Sequence, residues 1–128
     1  MSRGGIKTNI IESSAVGLGG NEFETGSITV AANTTISKGA VLKRDGTGKF
    51  ALVTDLAEET PVAINPFDIP NPSAAAAELS MRGIIFGPVR ADLLHVSGTP
   101  VTSPALLDKI RAYTLCVPIR ANDISRTE

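Results

Sequence analysis

The sequence predicts a mainly β fold: a compact β-rich domain, barrel-like or sandwich-like, with one short helix in its C-terminal half and a flexible N-terminal arm. Three observations lead there. The body of the chain is a series of short apolar runs rich in Val, Ile, Leu and Thr, separated by Gly, Pro and Asp turn signals. Only one segment, near residue 104, combines a helix start signal with apolar residues at helical spacing. Six of the twelve glycines (Gly4, Gly5, Gly17, Gly19, Gly20 and Gly26) fall before residue 27, where few side chains are available for burial. A chain of 128 residues has room for one such domain, and the reading divides it into an arm over 1–26 and a β-rich body over 27–128.

Within the arm, Ile6, Thr8 and Ile10 alternate with Lys7 and Asn9, and Ile11 follows. That period of two suits an extended segment with one apolar face. From Ser27 the runs SITVAA, TTIS and GAVLKR read as strands. Asp45-Gly46-Thr47-Gly48 then turns the chain into KFALVT, because Asp bonds its own backbone and Gly tolerates positive φ; GAVLKR and KFALVT form a hairpin. PVAI over 61–64 is a further strand. Pro66, Pro70 and Pro72 cannot donate to a ladder, which makes 65–73 a loop.

Ala74–Leu79 has the composition of a helix but is too short to persist alone, so one turn is expected there. SMRGIIF over 80–86 and PVRADLLHV over 88–96 read as two strands bent sharply apart at Gly87-Pro88. Ser103 is a good N-cap, Pro104 suits the first helical position, and Leu106, Leu107, Ile110 and Tyr113 or Thr114 share one helical face. TLCVPIR returns as a short strand, which Pro118 places at a sheet edge.

Composition narrows the function. Twelve Lys and Arg oppose thirteen Asp and Glu, a net charge of −1, so there is no broad cationic field to gather phosphates; aromatics are 4%, too few for a base-stacking platform. Nucleic acid is therefore not an expected partner. The N-terminal MSRGGIKTN lacks the apolar run of a signal peptide, and no stretch approaches the roughly 20 apolar residues of a membrane span. A soluble chain synthesised in the cytoplasm, with no membrane partner, is the expectation.

No catalytic, cofactor-binding or metal-binding residue is predicted. His95 is the sole histidine; in a strand it shares a face with Leu93, while Asp92 lies on the other. Cys116 is the sole cysteine, which excludes an intrachain disulfide and any multi-cysteine metal pattern, and a buried thiol is the expectation. Gly17-Leu18-Gly19-Gly20 is a poor phosphate loop, because Glu22 and Glu24 follow it directly. Asp45, Asp55, Glu58 and Glu59 lack the spacing of a calcium loop and read as a solvated surface.

The segments SKGAVLKRDGTGKFALVTD, PVAINPFDI, AAAAELSMRGIIFGPVRADLLHV and LLDKIRAY with its closing apolar strand together span roughly residues 37–120. In that order, and behind an arm of small residues, they resemble the lambda-type tailed-phage head decoration protein family. The resemblance implies a non-enzymatic capsid protein on the outer surface of the expanded head. Its partners would be the major capsid protein and further copies of itself, as a homotrimer or, alternatively, a dimer. It also implies that Ile6, Lys7, Thr8, Asn9, Ile10 and Ile11 form a capsid-binding arm. Another phage structural module, such as a tail or baseplate adaptor, would share the β-rich, cofactor-free character. RGIIFG is faintly similar to trimeric dUTPase-like hydrolases, but no complete active-site motif accompanies it.

Overall fold

A computed structural model describes residues 15–120. Ten strands, one helix and one 3-10 turn follow in order: β1 (Glu22–Val30), β2 (Thr34–Ile36), β3 (Val41–Arg44), β4 (Phe50–Leu52), β5 (Ala63–Ile64), β6 (Ile69–Asn71), β7 (Ala77–Arg90), the turn Ala91–Leu93, β8 (His95–Val96), β9 (Thr99–Pro100), α1 (Pro104–Tyr113) and β10 (Leu115–Ile119). The expected mainly β fold with a single short helix is what these residues form. The six capsid-arm candidates Ile6, Lys7, Thr8, Asn9, Ile10 and Ile11 lie outside the described residues.

The main sheet runs β1-β4-β3-β5-β7 and closes where β1 pairs with β7, giving a five-stranded barrel with β10 as an added strand. Closure depends on the length of β7, whose 14 residues serve two neighbours at once. One edge pairs antiparallel with β1, from Glu22↔Phe86 to Val30↔Ala77. The other edge meets β5 at Ile64↔Ile84 and then runs parallel with β10 from Leu115↔Phe86 to Ile119↔Arg90. A closed barrel has no free edge within itself, so the edge problem is transferred to β10.

Period-two alternation divides the apolar residues between two cores. Ile28, Leu42, Phe50 and Ala63 belong to one cluster, with Met81 from β7; Val41, Ile64 and Ile84 belong to the other, with Leu107, Ile110 and Cys116. Adjacent residues Val41 and Leu42 thus serve opposite faces of β3, as strand geometry requires. Phe50 fills its core because Gly26 and Gly83 leave the space: a Cβ at Gly26 would lie 2.7 Å from the Phe50 ring, and one at Gly83 3.2 Å from it. The second core is roofed by α1, whose buried Leu107 and Ile110 contribute roughly 1.5–3 kcal/mol each. Ser103 caps that helix as predicted, accepting the Leu106 N–H at 3.4 Å.

Four expectations change. Residues 15–26 are not an arm: Val16 is buried, and β1 begins at Glu22 rather than Ser27, because Leu18 N donates to Pro88 O at 3.0 Å and Arg90 N to Val16 O at 2.8 Å. Residues 69–71 are a strand rather than loop, since β6 pairs with β2 as a two-stranded edge in which Pro70 faces Thr35. Ala77–Leu79 extend β7 instead of forming a helical turn, because Val30, Thr29 and Ile28 offer a complete ladder. The two strands expected on either side of Gly87-Pro88 are one strand to Arg90. The chain turns only at Ala91–Leu93, so strand alternation does not govern Leu93 and His95.

Candidate functional site

His95 sits at the start of the small β8–β9 hairpin, held to the loop before β3. Its N–H donates to Gly39 O at 3.1 Å, and its Nε2–H donates to Lys38 O at 3.1 Å. Nδ1 is buried with no hydrogen-bond partner. Ring and backbone together fasten the hairpin to the barrel. Cys116 is fully buried in the second core, where its Sγ donates to Ile84 O at 3.4 Å. Burial pushes the thiol pKa up, with a smaller opposing contribution from its hydrogen bond to Thr114. These two residues occupy separate environments.

The acidic residues weighed for calcium are engaged individually. Asp45 Oδ1 accepts from Thr47 N at 2.8 Å, Thr47 Oγ1 at 2.7 Å and Lys49 N at 3.0 Å, closing the hairpin turn. Glu59 Oε1 accepts from Thr54 N at 2.7 Å and Asp55 N at 3.0 Å, while its other oxygen pairs with Lys43. Among the described residues no group of three or more His, Cys, Asp and Glu is placed to hold a metal ion. The Gly17–Gly20 segment is ordered around Asn21: its Oδ1 accepts from Gly19 N at 3.0 Å, and its Nδ2 donates to Phe86 O at 3.1 Å and Pro88 O at 2.9 Å. Gly87 has φ +103, and a Cβ there would lie 2.9 Å from Asn21 Nδ2. The glycine therefore admits the amide that stitches the N-terminal turn to β7.

That stitch borders a feature the sequence reading did not find. Across β1, β7 and β10, Glu22, Phe86 and Leu115 stand in one row; Pro88 and Val117 form the next across β7 and β10, and Arg90 and Ile119 the last. On the opposite face of β10, Cys116 and Pro118 turn inward and are buried. The outward face is left apolar and open: Leu115 is 68% exposed, Phe86 42% and Val117 38%. Alternation of Leu115 and Val117 with Cys116 was visible in the sequence, but the register that sets Phe86 beside them was not.

The edge of β10 differs from its face. Cys116 N donates to Thr114 Oγ1 at 3.0 Å, and Pro118 has no N–H, so these alternate positions present no free donor. An incoming strand would find a poor ladder there. What this region offers a partner is its side-chain face. A second exposed feature is an open groove of about 590 Å³ beside Phe67, Leu79, Met81 and Arg82, with Arg82 lying over the Phe23 ring at 4.9 Å. Among the described residues no helix is long and apolar enough to cross a membrane. No protein-family model matches this chain, and a comparison with curated proteins finds no match either.

Proposed function

We propose that this chain is a capsid decoration, or cement, protein that binds the outer surface of the expanded head of a tailed phage and stabilises it without catalysing a reaction. The observation that carries the reading is a side-chain-filled barrel whose most prominent exposed feature is the apolar face of Phe86, Leu115 and Val117, built on rigid strands. Such a surface suits association, whereas the lone histidine is engaged in fastening a hairpin and the lone thiol is buried. The order of segments that resembles the decoration family supplies the virion context. The partner is the major capsid protein, and the arm Ile6–Ile11 contributes to its capture.

Ordering six arm residues costs roughly 6–12 kcal/mol of backbone entropy. Burying Ile6, Ile10 and Ile11 returns about 5–9 kcal/mol at roughly 1.5–3 per side chain. One arm alone therefore binds weakly, and several arms held together bind well. The test is cosedimentation of purified protein with expanded and unexpanded heads of the phage that carries it. Selective binding to expanded heads supports the reading; equal binding to both, or none, overturns it. A variant lacking residues 1–14 keeps Val16 and the strands, so it should remain folded while capsid affinity falls sharply.

A further inference from the structure

We propose that the free edge of β7 at Ser80–Arg82 takes an added β-strand from the major capsid protein, an extended segment with apolar side chains and one carboxylate. The identity of the partner rests on the capsid reading; the site itself comes from the geometry. β7 runs past the pair that closes the barrel. On its β5 edge it meets Ile64↔Ile84 and then β10 from Phe86, and among the described residues no strand pairs with 78–83 on that edge. Ile84 O is turned to this edge, since it accepts from Cys116 Sγ at 3.4 Å. Strand alternation turns the backbone N–H and C=O groups of Arg82 and Ser80 the same way.

The amino-acid sequence explains the gap. Asn65, the residue after β5, uses its backbone on the other side, its N–H donating to Ala40 O at 2.9 Å and its O accepting from Gly39 N at 2.7 Å. The next residue that alternation would turn to β7 is Pro66, which has no N–H to give. The chain leaves the sheet there, and the groove of about 590 Å³ opens between the edge of β7 and residues 67–70. An unpaired row of N–H and C=O groups beside an open groove is a template for one more strand.

The side chains set what that strand carries. Phe67 is 58% exposed at the rim, and Leu79 and Met81 line the groove, so the segment brings apolar side chains on one face. Arg82 is exposed, lies over the Phe23 ring at 4.9 Å and is in none of the four ion pairs of the described residues. At the other end of the free stretch the Glu78 carboxylate is already paired with Lys49 and accepts from Ser27 Oγ at 3.0 Å. Asp68, the other charged group lining the groove, accepts from Lys38 N through Oδ1 at 2.9 Å. The cation at Arg82 therefore selects a carboxylate on the incoming segment, placed at the Arg82 end and away from Asp68.

The experiment is cosedimentation of the full chain with expanded heads of the phage that carries it, at low and high salt, for the unaltered chain, Ser80→Pro and Arg82→Glu. Ser80→Pro removes an N–H from the free edge alone, so its circular dichroism spectrum should match that of the unaltered chain while its affinity for heads falls at least about tenfold. Arg82→Glu should lose at least about tenfold at low salt and less at high salt, because screening weakens the charge contact. An unfolded Ser80→Pro would mean that its N–H serves the β1 ladder, and would overturn the proposal. So would unchanged binding by both variants, or a loss confined to one of them, since strand and carboxylate are claimed together. If those variants bind normally while removal of residues 1–14 abolishes binding, the capsid reading stands without this site. No binding of the unaltered chain to expanded heads would instead overturn the capsid reading, and the occupant with it.

Discussion

A Cβ added at Gly39 would lie 1.9 Å from the carbonyl oxygen of Leu93. The backbone there is also left-handed, at φ +90, and is clamped from both sides: Gly39 N donates to Asn65 O at 2.7 Å, and Gly39 O accepts from His95 N at 3.1 Å. Neither wall can retreat without breaking the contact between the barrel and the β8–β9 hairpin. Gly39→Ala should therefore destabilise the protein by at least about 3 kcal/mol, well above an ordinary substitution. Urea denaturation gives the value, and a loss under about 1 kcal/mol would show that the 37–40 loop moves freely.

Asn71 makes a second prediction, through hydrogen bonds rather than space. Its buried Nδ2 lies 2.9 Å from Val30 O, 3.1 Å from Ala31 O and 3.0 Å from Ala75 O, and its Oδ1 accepts from Ser73 N at 3.1 Å. One amide thus satisfies the carbonyls at the end of β1 and the turn that launches β7. Asn71→Leu is near in size but removes the donor to Val30 O and Ala31 O and the acceptor for Ser73 N, at a cost of roughly 2–4 kcal/mol. Thermal melting of the variant beside Asn71→Asp, which keeps the acceptor, should show both destabilised. An unchanged Asn71→Leu would mean that solvent reaches these carbonyls.

Elements with local causes were legible in the sequence, and those fixed by distant partners were not. The 45–48 hairpin turn, the Ser103 cap and the β10 strand were legible because their causes are local: an Asx turn, a capping hydroxyl and period-two alternation. Ala77–Leu79 were not, since short-range helix propensity there yields to a ladder with β1 more than 45 residues earlier in the chain. Residues 15–26 read as an arm because glycine content says nothing about Asn21, whose partners are on β7. The apolar face was half legible, because Leu115 and Val117 declare their own strand face while Phe86 joins them only through register.

Glu59 governs a pH prediction. Its hydrogen-bonded pairing with Lys43, followed by the backbone N–H groups of Asp55 and Thr54, lowers its pKa from 4.5 to about 2. The sign follows from that direction: the unfolded chain takes up the proton first as pH falls. The stabilisation from Glu59 is complete above about 4.5 and is lost as pH falls toward about 2. Urea midpoints measured between these limits should fall less steeply for Glu59→Gln than for the unaltered chain. Parallel slopes would show that Glu59 titrates normally and that the Lys43 pairing is lost in solution.

Cys116 tests whether the β10 edge opens by itself. The thiol is fully buried, its pKa is raised by that burial, and its Sγ is tied to Ile84 O at 3.4 Å. Both low thiolate content and lack of access oppose labelling, so reaction requires β10 to leave β7. Five registered pairs and the packing of Leu107 and Ile110 beside Cys116 hold the strand in place. Labelling by a thiol reagent at pH 8 should therefore be at least about a thousandfold slower in the native protein than in the urea-unfolded chain, with a strong urea dependence that marks global opening. Slow labelling that ignores low urea would instead mark local fraying of β10. The apolar face of Phe86, Leu115 and Val117 would then be too loose to serve as a docking surface.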